Sequence, residues 1–247
     1  MLNPKSVSIL AAAAVLASSV AAHATVITFG ASGNQGGDAL GAQADFTTGA
    51  GFINVTLTNT LAPSAIGSAG SAVSDLQFTL SNAPGTQGTL TASGQLGNVN
   101  GTTPGVVTFT SGSPVRFIGM GPAPPNGSGT FTVTGNTILM EALGGGQPSQ
   151  MILPSVANGG TYPNSNASIT NFNPSTIGPA MFVLDFAGVT ASTTITAATF
   201  SFGTGPDHTL TGTVIPPGPP LVPEPASLAL LGTALAAFGL YRRRRSA

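Results

Sequence analysis

Ile53-Asn54-Val55-Thr56-Leu57-Thr58 sets the pattern for most of this chain. Apolar and polar residues alternate without a break, so one face of an extended strand meets a core and the other meets water. The same period returns in Leu76-Gln77-Phe78-Thr79-Leu80-Ser81 and in Thr130-Phe131-Thr132-Val133-Thr134. It also runs through Phe182-Val183-Leu184-Asp185-Phe186 and places Ala198, Phe200 and Phe202 on one side. Turn formers separate these runs: Asn82-Ala83-Pro84-Gly85, Gly112-Ser113-Pro114, Pro124-Pro125-Asn126-Gly127 and Gly135-Asn136. Between them no helical period lasts longer than about two turns. Short strands punctuated at this frequency predict an all-β body over residues 25–215, an antiparallel sandwich with a jelly-roll-like pair of sheets. Phenylalanines form its core, and Thr and Ser cover its solvent face. Residues 62–72, 144–150 and 155–168 hold few large apolar side chains and read as long surface loops, the last with Tyr162 as its anchor. No internal repeat marks a solenoid.

The body's charge is unusual. Five of the six basic residues lie near the chain ends, which leaves Arg116 alone against Asp38, Asp45, Asp75, Glu141, Asp185 and Asp207. One base minus six acids gives −5 for residues 25–221. Phosphate neutralisation needs clustered Lys and Arg, so nucleic acid is excluded as a partner. The chain has no cysteine. Disulfides, thiolate metal ligands and thiol catalysis are therefore excluded, and nearly two hundred residues suffice for a core without cross-links.

Both termini carry address-like segments. At the N-terminus Lys5 precedes an apolar stretch from Val7 to Ala22, and Ala22-His23-Ala24 supplies the small-x-small pattern of signal peptidase. Residues 1–24 are therefore expected to be a signal peptide cut after Ala24, which removes His23. At the other end a proline-dense linker, 216–222, leads to Pro223-Glu224-Pro225, an apolar run from Ala226 to Tyr241 and Arg242-Arg243-Arg244-Arg245. The prolines keep the chain extended. The sixteen residues of 226–241 make a helix of about 24 Å, short of a hydrocarbon core of about 30 Å. Alanines, Gly232 and Gly239 dilute its apolar character, so it inserts only marginally. Four arginines resist transfer, which leaves a short transmembrane helix stopped with its charges on the cytoplasmic side.

Pro-Glu-Pro, a short helix and an arginine cluster at the chain end, residues 223–247, resemble the PEP-CTERM sorting signal of Gram-negative bacteria. The resemblance implies an exosortase substrate recognised and processed at Pro223, Glu224 and Pro225. It implies export through the inner membrane, transient anchoring, then residence at the cell surface or outside, associated with exopolysaccharide or biofilm. Its implied partners are an exosortase-type enzyme, the membrane and exopolysaccharide. It implies no activity or ligand for the body.

Few groups in the body bear chemistry. His208 follows Asp207, but neighbours on a strand point to opposite faces, so Asp207 is badly placed to orient the imidazole of a Ser-His-Asp site. A solvated turn histidine is the expectation. Asp185 and Glu141 are the pair that strand pairing might bring across a glycosidic bond, yet both occupy the polar phase of their strands. The oxygen-rich stretch Gly33-Asn34-Gln35-Gly36-Gly37-Asp38, with Asp45 downstream, suits Ca²⁺ in ligand type but lacks dense acidic spacing. Sugar platforms usually present Trp or Tyr; the chain has no Trp, and Tyr162 is the body's one Tyr. Asn, Gln and Thr remain as hydrogen-bonding groups, so lectin-like polysaccharide binding is the leading active alternative, ahead of a hydrolase. The expectation is a non-enzymatic exported protein with no catalytic residues, no metal and no cofactor. The Asn-x-Ser/Thr sites at Asn54, Asn100, Asn126 and Asn166 follow from an Asn-, Ser- and Thr-rich composition.

Overall fold

The computed structural model describes residues 26–110, 130–141, 150–204 and 208–217. The expected signal peptide with Ala22 and Ala24, Arg116, Asp207, most of loop 144–150, linker residues 218–222, Pro223-Glu224-Pro225, helix 226–241 and Arg242 to Arg245 lie outside the described residues. In chain order the strands are β1 (Val26–Gln35), β2 (Asp38–Gly49), β3 (Phe52–Asn59), β4 (Val73–Leu80), β5 (Gln87–Ser93), β6 (Leu96–Asn100), β7 (Gly105–Phe109) and β8 (Thr130–Thr134). They continue with β9 (Thr137–Glu141), β10 (Ile152–Leu153), β11 (Thr161–Tyr162), β12 (Ser175–Ile177), β13 (Ala180–Phe186), β14 (Ile195–Phe202), β15 (Thr209–Thr211) and β16 (Thr213–Ile215). The only helical elements among the described residues are 3-10 turns at Pro63–Ala65, Ala69–Ser71 and Ala167–Phe172. The all-β expectation holds.

Six strands form one sheet in the order β16-β1-β2-β3-β13-β5, and the second sheet runs β11-β7-β6-β12-β10-β4-β14-β15, with the β8–β9 hairpin joined to β4. Pairing is antiparallel with one departure from the expectation. β10 runs parallel to β12, Ile152 opposite Thr176. The crossover between them is the segment that carries β11 and the Ala167–Phe172 turn, which is long enough for a parallel return.

The two sheets share one core. Ile53, Val55 and Leu57 from β3, Leu76, Phe78 and Leu80 from β4, Phe182, Leu184 and Phe186 from β13, and Ala198, Phe200 and Phe202 from β14 are all buried in it. These are the alternating positions that the sequence marks. The inner face of β2 adds Leu40, Ala42, Ala44 and Phe46. Phe46 lies between the ring of Phe29, 6.1 Å away edge-on, and that of Phe78, 5.0 Å away on the opposite sheet.

Buried polar side chains join the sheets at separate points. Thr48 donates its hydroxyl to the Thr193 carbonyl at 2.7 Å. The Asn59 amide donates to the carbonyls of Ser71 at 2.8 Å and Ile152 at 3.1 Å, and its oxygen accepts from Leu61 N–H at 3.1 Å. Asn59 is buried, so these three groups have little access to water if it is removed. Asn59→Ala is expected to cost about 1–3 kcal/mol of stability, read as a lower urea midpoint at unchanged slope.

Two segments expected as surface loops are in fact walls of a second core. Ile66, Ala69 and Ala72 from residues 62–72 and Tyr162 from 155–168 pack with Val99, Val107, Met151, Leu153, Ile169, Phe172 and Ile177. Ile169 and Phe172 come from the Ala167–Phe172 turn, and Val99, Val107, Leu153 and Ile177 come from the sheet.

β1 begins at Val26 beside the end of β16, with Thr28 opposite Ile215. Exposed Pro216 and Pro217 follow β16, so the two ends of the body leave it side by side at one edge of the six-stranded sheet. The opposite end of β1 is the β1–β2 turn, nine residue steps away, or roughly 30 Å at about 3.4 Å per residue.

Candidate functional site

That distant turn is where the functional groups collect. Gln35 pairs with Asp38, so Gly36 and Gly37 form a two-residue hairpin loop. Both have positive φ, 61° and 92°, the conformation that this kind of hairpin turn requires and that glycine adopts freely. The flexible polar loop expected over residues 33–38 is corrected here: Gly33, Asn34 and Gln35 are strand residues with fixed partners. Asp45 is seven residues along β2 from Asp38, more than about 20 Å, and on the opposite face of the strand. Its carboxylate accepts from Thr28 Oγ1 at 2.7 Å and from the Gln43 amide at 3.1 Å. Asp38 and Asp45 therefore cannot share an ion. Among the described residues no three His, Cys, Asp or Glu side chains lie close enough to hold a metal.

Asp38 faces the Ala69–Ser71 turn instead. Its Oδ1 accepts from Ser68 Oγ at 2.7 Å and, at the long limit of 3.5 Å, from Ser71 Oγ. Ser68 caps that turn by accepting from Gly70 N–H at 2.9 Å. A β-carbon on Gly70 would stand 2.1 Å from Asp38 Oδ2, so only glycine lets the carboxylate settle there. Behind the turn, Ala69 N–H donates to Ser168 Oγ at 3.0 Å, which attaches it to the Ala167–Phe172 turn. The backbone after β14 closes the other side: Gly203 N–H donates to the Ala72 carbonyl at 2.9 Å, and Phe202 N–H to the His208 carbonyl at 2.9 Å. A β-carbon on Gly36 would meet His208 Cε1 at 3.1 Å, which places the imidazole over the hairpin loop.

The result is a cleft of about 430 Å³ lined by Asp38, Ser68, Ser168, Asn171, Phe172, Thr204 and His208 among others. Sequence reasoning singled out Asp38 with Asp45 downstream, where the structure gives it Ser68 instead, and set His208 aside as a turn residue. His208 is half-buried at a cleft wall, not a freely solvated turn residue. Ser168, Asn171 and Thr204 were missed. The Gly36-Gly37 dipeptide between extended runs was the available signal for the hairpin that brings Asp38 here. A second groove of about 520 Å³ follows Gly30 to Ser32, Leu210 and Thr213, and no ionisable group lines it.

Strand pairing does not unite Asp185 with Glu141. Asp185 is in β13 of the six-stranded sheet, where Thr89 Oγ1 donates to it. Glu141 is in β9 of the other sheet, opposite Asp75.

Tyr162 is fully buried in the second core, and its hydroxyl donates to the Pro154 carbonyl at 2.6 Å. It offers no face to a sugar. Burial pushes the phenol above its ordinary value. The folded state therefore holds this proton at a pH where the unfolded chain releases it. Stability from this source is complete below about pH 10 and falls as pH rises above it. Denaturant melts from pH 8 to 11 should show the decline, and Tyr162→Phe should flatten it while costing about 1 kcal/mol at neutral pH.

Residues 221–245 match the family model of the PEP-CTERM protein-sorting motif. No curated protein and no solved structure matches the chain. The motif occupies one tenth of the sequence, and the body must be read from its own residues. Among the described residues no helix is long and apolar enough to cross a membrane.

Proposed function

We propose that this chain is a non-enzymatic surface or extracellular-matrix protein, carried across the inner membrane on residues 1–24, held briefly by 226–241 and released by an exosortase-type enzyme at Pro223-Glu224-Pro225. The motif match at 221–245 carries the reading, since it makes the chain an exosortase-targeted, exported protein. The body fits such a destination. A two-sheet β body in a chain without cysteine, rich in Thr, Ser and Asn, needs no redox control outside the cell. Its two ends leave together at one edge, which lets a leader and a tail address the same membrane while the rest of the body points away from it.

Mass spectrometry of the protein recovered from the medium of an exosortase-bearing host tests this. The expected species begins at Thr25 and ends near Pro225, without Arg242 to Arg245. Full-length protein in the cytosol, uncut at both ends, would overturn it.

A second reading, contact with exopolysaccharide, is favoured by the polar cleft at the pole remote from the tether. Retention of the exported protein on the host's own exopolysaccharide, against a buffer control, separates it from a purely structural role.

A further inference from the structure

We propose that the cleft beside the Gly36-Gly37 hairpin is the binding site for a neutral sugar residue, with Asp38, Asn171 and His208 as its principal contacts. The proposal rests on the exopolysaccharide reading above and gives that reading an address.

The chemistry of the lining selects the ligand. A carboxylate accepts hydrogen bonds, an amide both donates and accepts, and a neutral imidazole does one at each nitrogen. That set suits adjacent hydroxyls, each of which is donor and acceptor at once. A divalent cation would find one carboxylate and one imidazole, Asp38 and His208, and no third such ligand among the described residues. An anion would meet the Asp38 charge with no Lys or Arg among the described residues that line the cleft. A nucleophilic role for Ser68 is poorly supported, because its hydroxyl proton is directed to Asp38 and not to His208. Phe172 lines the cleft but is only 8% exposed, so polar groups carry the recognition. The volume of about 430 Å³ falls within the roughly 300–1,000 Å³ of small-ligand clefts.

Preorganisation strengthens the case. Asp38 is the first residue of β2, fixed by the hairpin pairing and by the Ser68 bond at 2.7 Å. Hydroxyl bonds hold its Oδ1, and Oδ2 lies against the bare Gly70 α-carbon. Little side-chain freedom remains to be lost on binding. The two 3-10 turns that carry Ser68 and Ser168 are bonded to each other through Ala69 N–H. The cleft therefore has rigid walls built from segments far apart in sequence.

The test titrates the exported, processed protein with glucose, galactose, mannose, N-acetylglucosamine, glucuronate and CaCl₂, each followed by NMR shifts. At least one neutral sugar should saturate with a millimolar dissociation constant, and glucuronate should bind several-fold more weakly than glucose. Asn171→Ala and His208→Ala should each weaken the best sugar by about tenfold at unchanged melting temperature. The idea falls if no neutral sugar saturates by about 100 mM, if both variants bind like the parent, or if CaCl₂ alone moves the cleft resonances. Exopolysaccharide retention that both variants keep would sink the cleft and leave the polysaccharide reading standing. No retention by the unaltered protein and no sugar saturation would sink both.

Discussion

Phe46→Ala is expected to lower the folding free energy by about 3–5 kcal/mol, a large share of the roughly 5–15 kcal/mol that holds a typical domain folded. The ring is fully buried and touches both sheets, with Phe29 beside it on β1 and Phe78 across the core on β4. Its neighbours Ala42 and Ala44 are already small, so no nearby side chain can swing into the space, and the cavity term adds to the lost transfer energy. For a body of this size the melting temperature should fall by about 6–20 °C. Thr47→Ala, one residue along on the outer face, should change stability by less than about 0.5 kcal/mol. The contrast tests register as well as packing, because a slip of one residue in β2 would exchange the two faces. Equal losses for both substitutions would show that β2 does not pack as described.

The contrast between Phe46 and Thr47 also marks how far the sequence could be read. Where large apolar residues alternate, as in Ile53 to Leu57 and Phe182 to Phe186, the buried face follows directly from the period of a strand. β2 is less legible, since its inner face includes Ala42 and Ala44, and alanine gives a weak apolar signal. The second core left no period at all. Ile66, Tyr162 and Ile169 come from irregular chain, a two-residue strand and a short 3-10 turn. Side chains of these segments bond to distant strand backbone: Asn173 accepts from Val99 N–H at 2.8 Å, and Ser165 Oγ from Gly105 N–H at 3.0 Å. Bonds between residues 60 or more positions apart are not a local property, so such segments look like surface loops. The cleft fails to announce itself for the same reason. Asp38, Ser68, Asn171 and His208 meet only after two sheets and two turns have assembled. The sorting signal is the reverse case: it is local, and adjacent residues carry all of its information.

Glu224→Ala is therefore expected to abolish release while leaving the body's fold untouched, because the substitution lies outside the sandwich and beyond the exposed Pro216-Pro217 that follow β16. The physical basis is a division of labour within the last residues. In the proposed reading a helix of about 24 Å over 226–241 would be too short for a firm anchor in a core of about 30 Å, and Arg242 to Arg245 would block its passage outward. On the proposed reading the chain would be held at the membrane until it is cut. Glu224, between two prolines, is the one charged residue from Pro216 to Tyr241, and prolines favour an extended chain that a processing enzyme could reach. Removing the acid removes the recognition element but keeps both the apolar run and the arginines. The variant should stay in the membrane fraction at full C-terminal mass, with Thr25 at its N-terminus, while the parent protein appears outside the cell and lacks the arginines. Replacing Arg242 to Arg245 by Gln should act differently, loosening the stop so that uncut chain escapes the membrane. If the Glu224→Ala protein left the cell at the parent level with the same trimmed terminus, the acid would have no part in recognition, and the export route assigned to Pro223-Glu224-Pro225 would have to be given up.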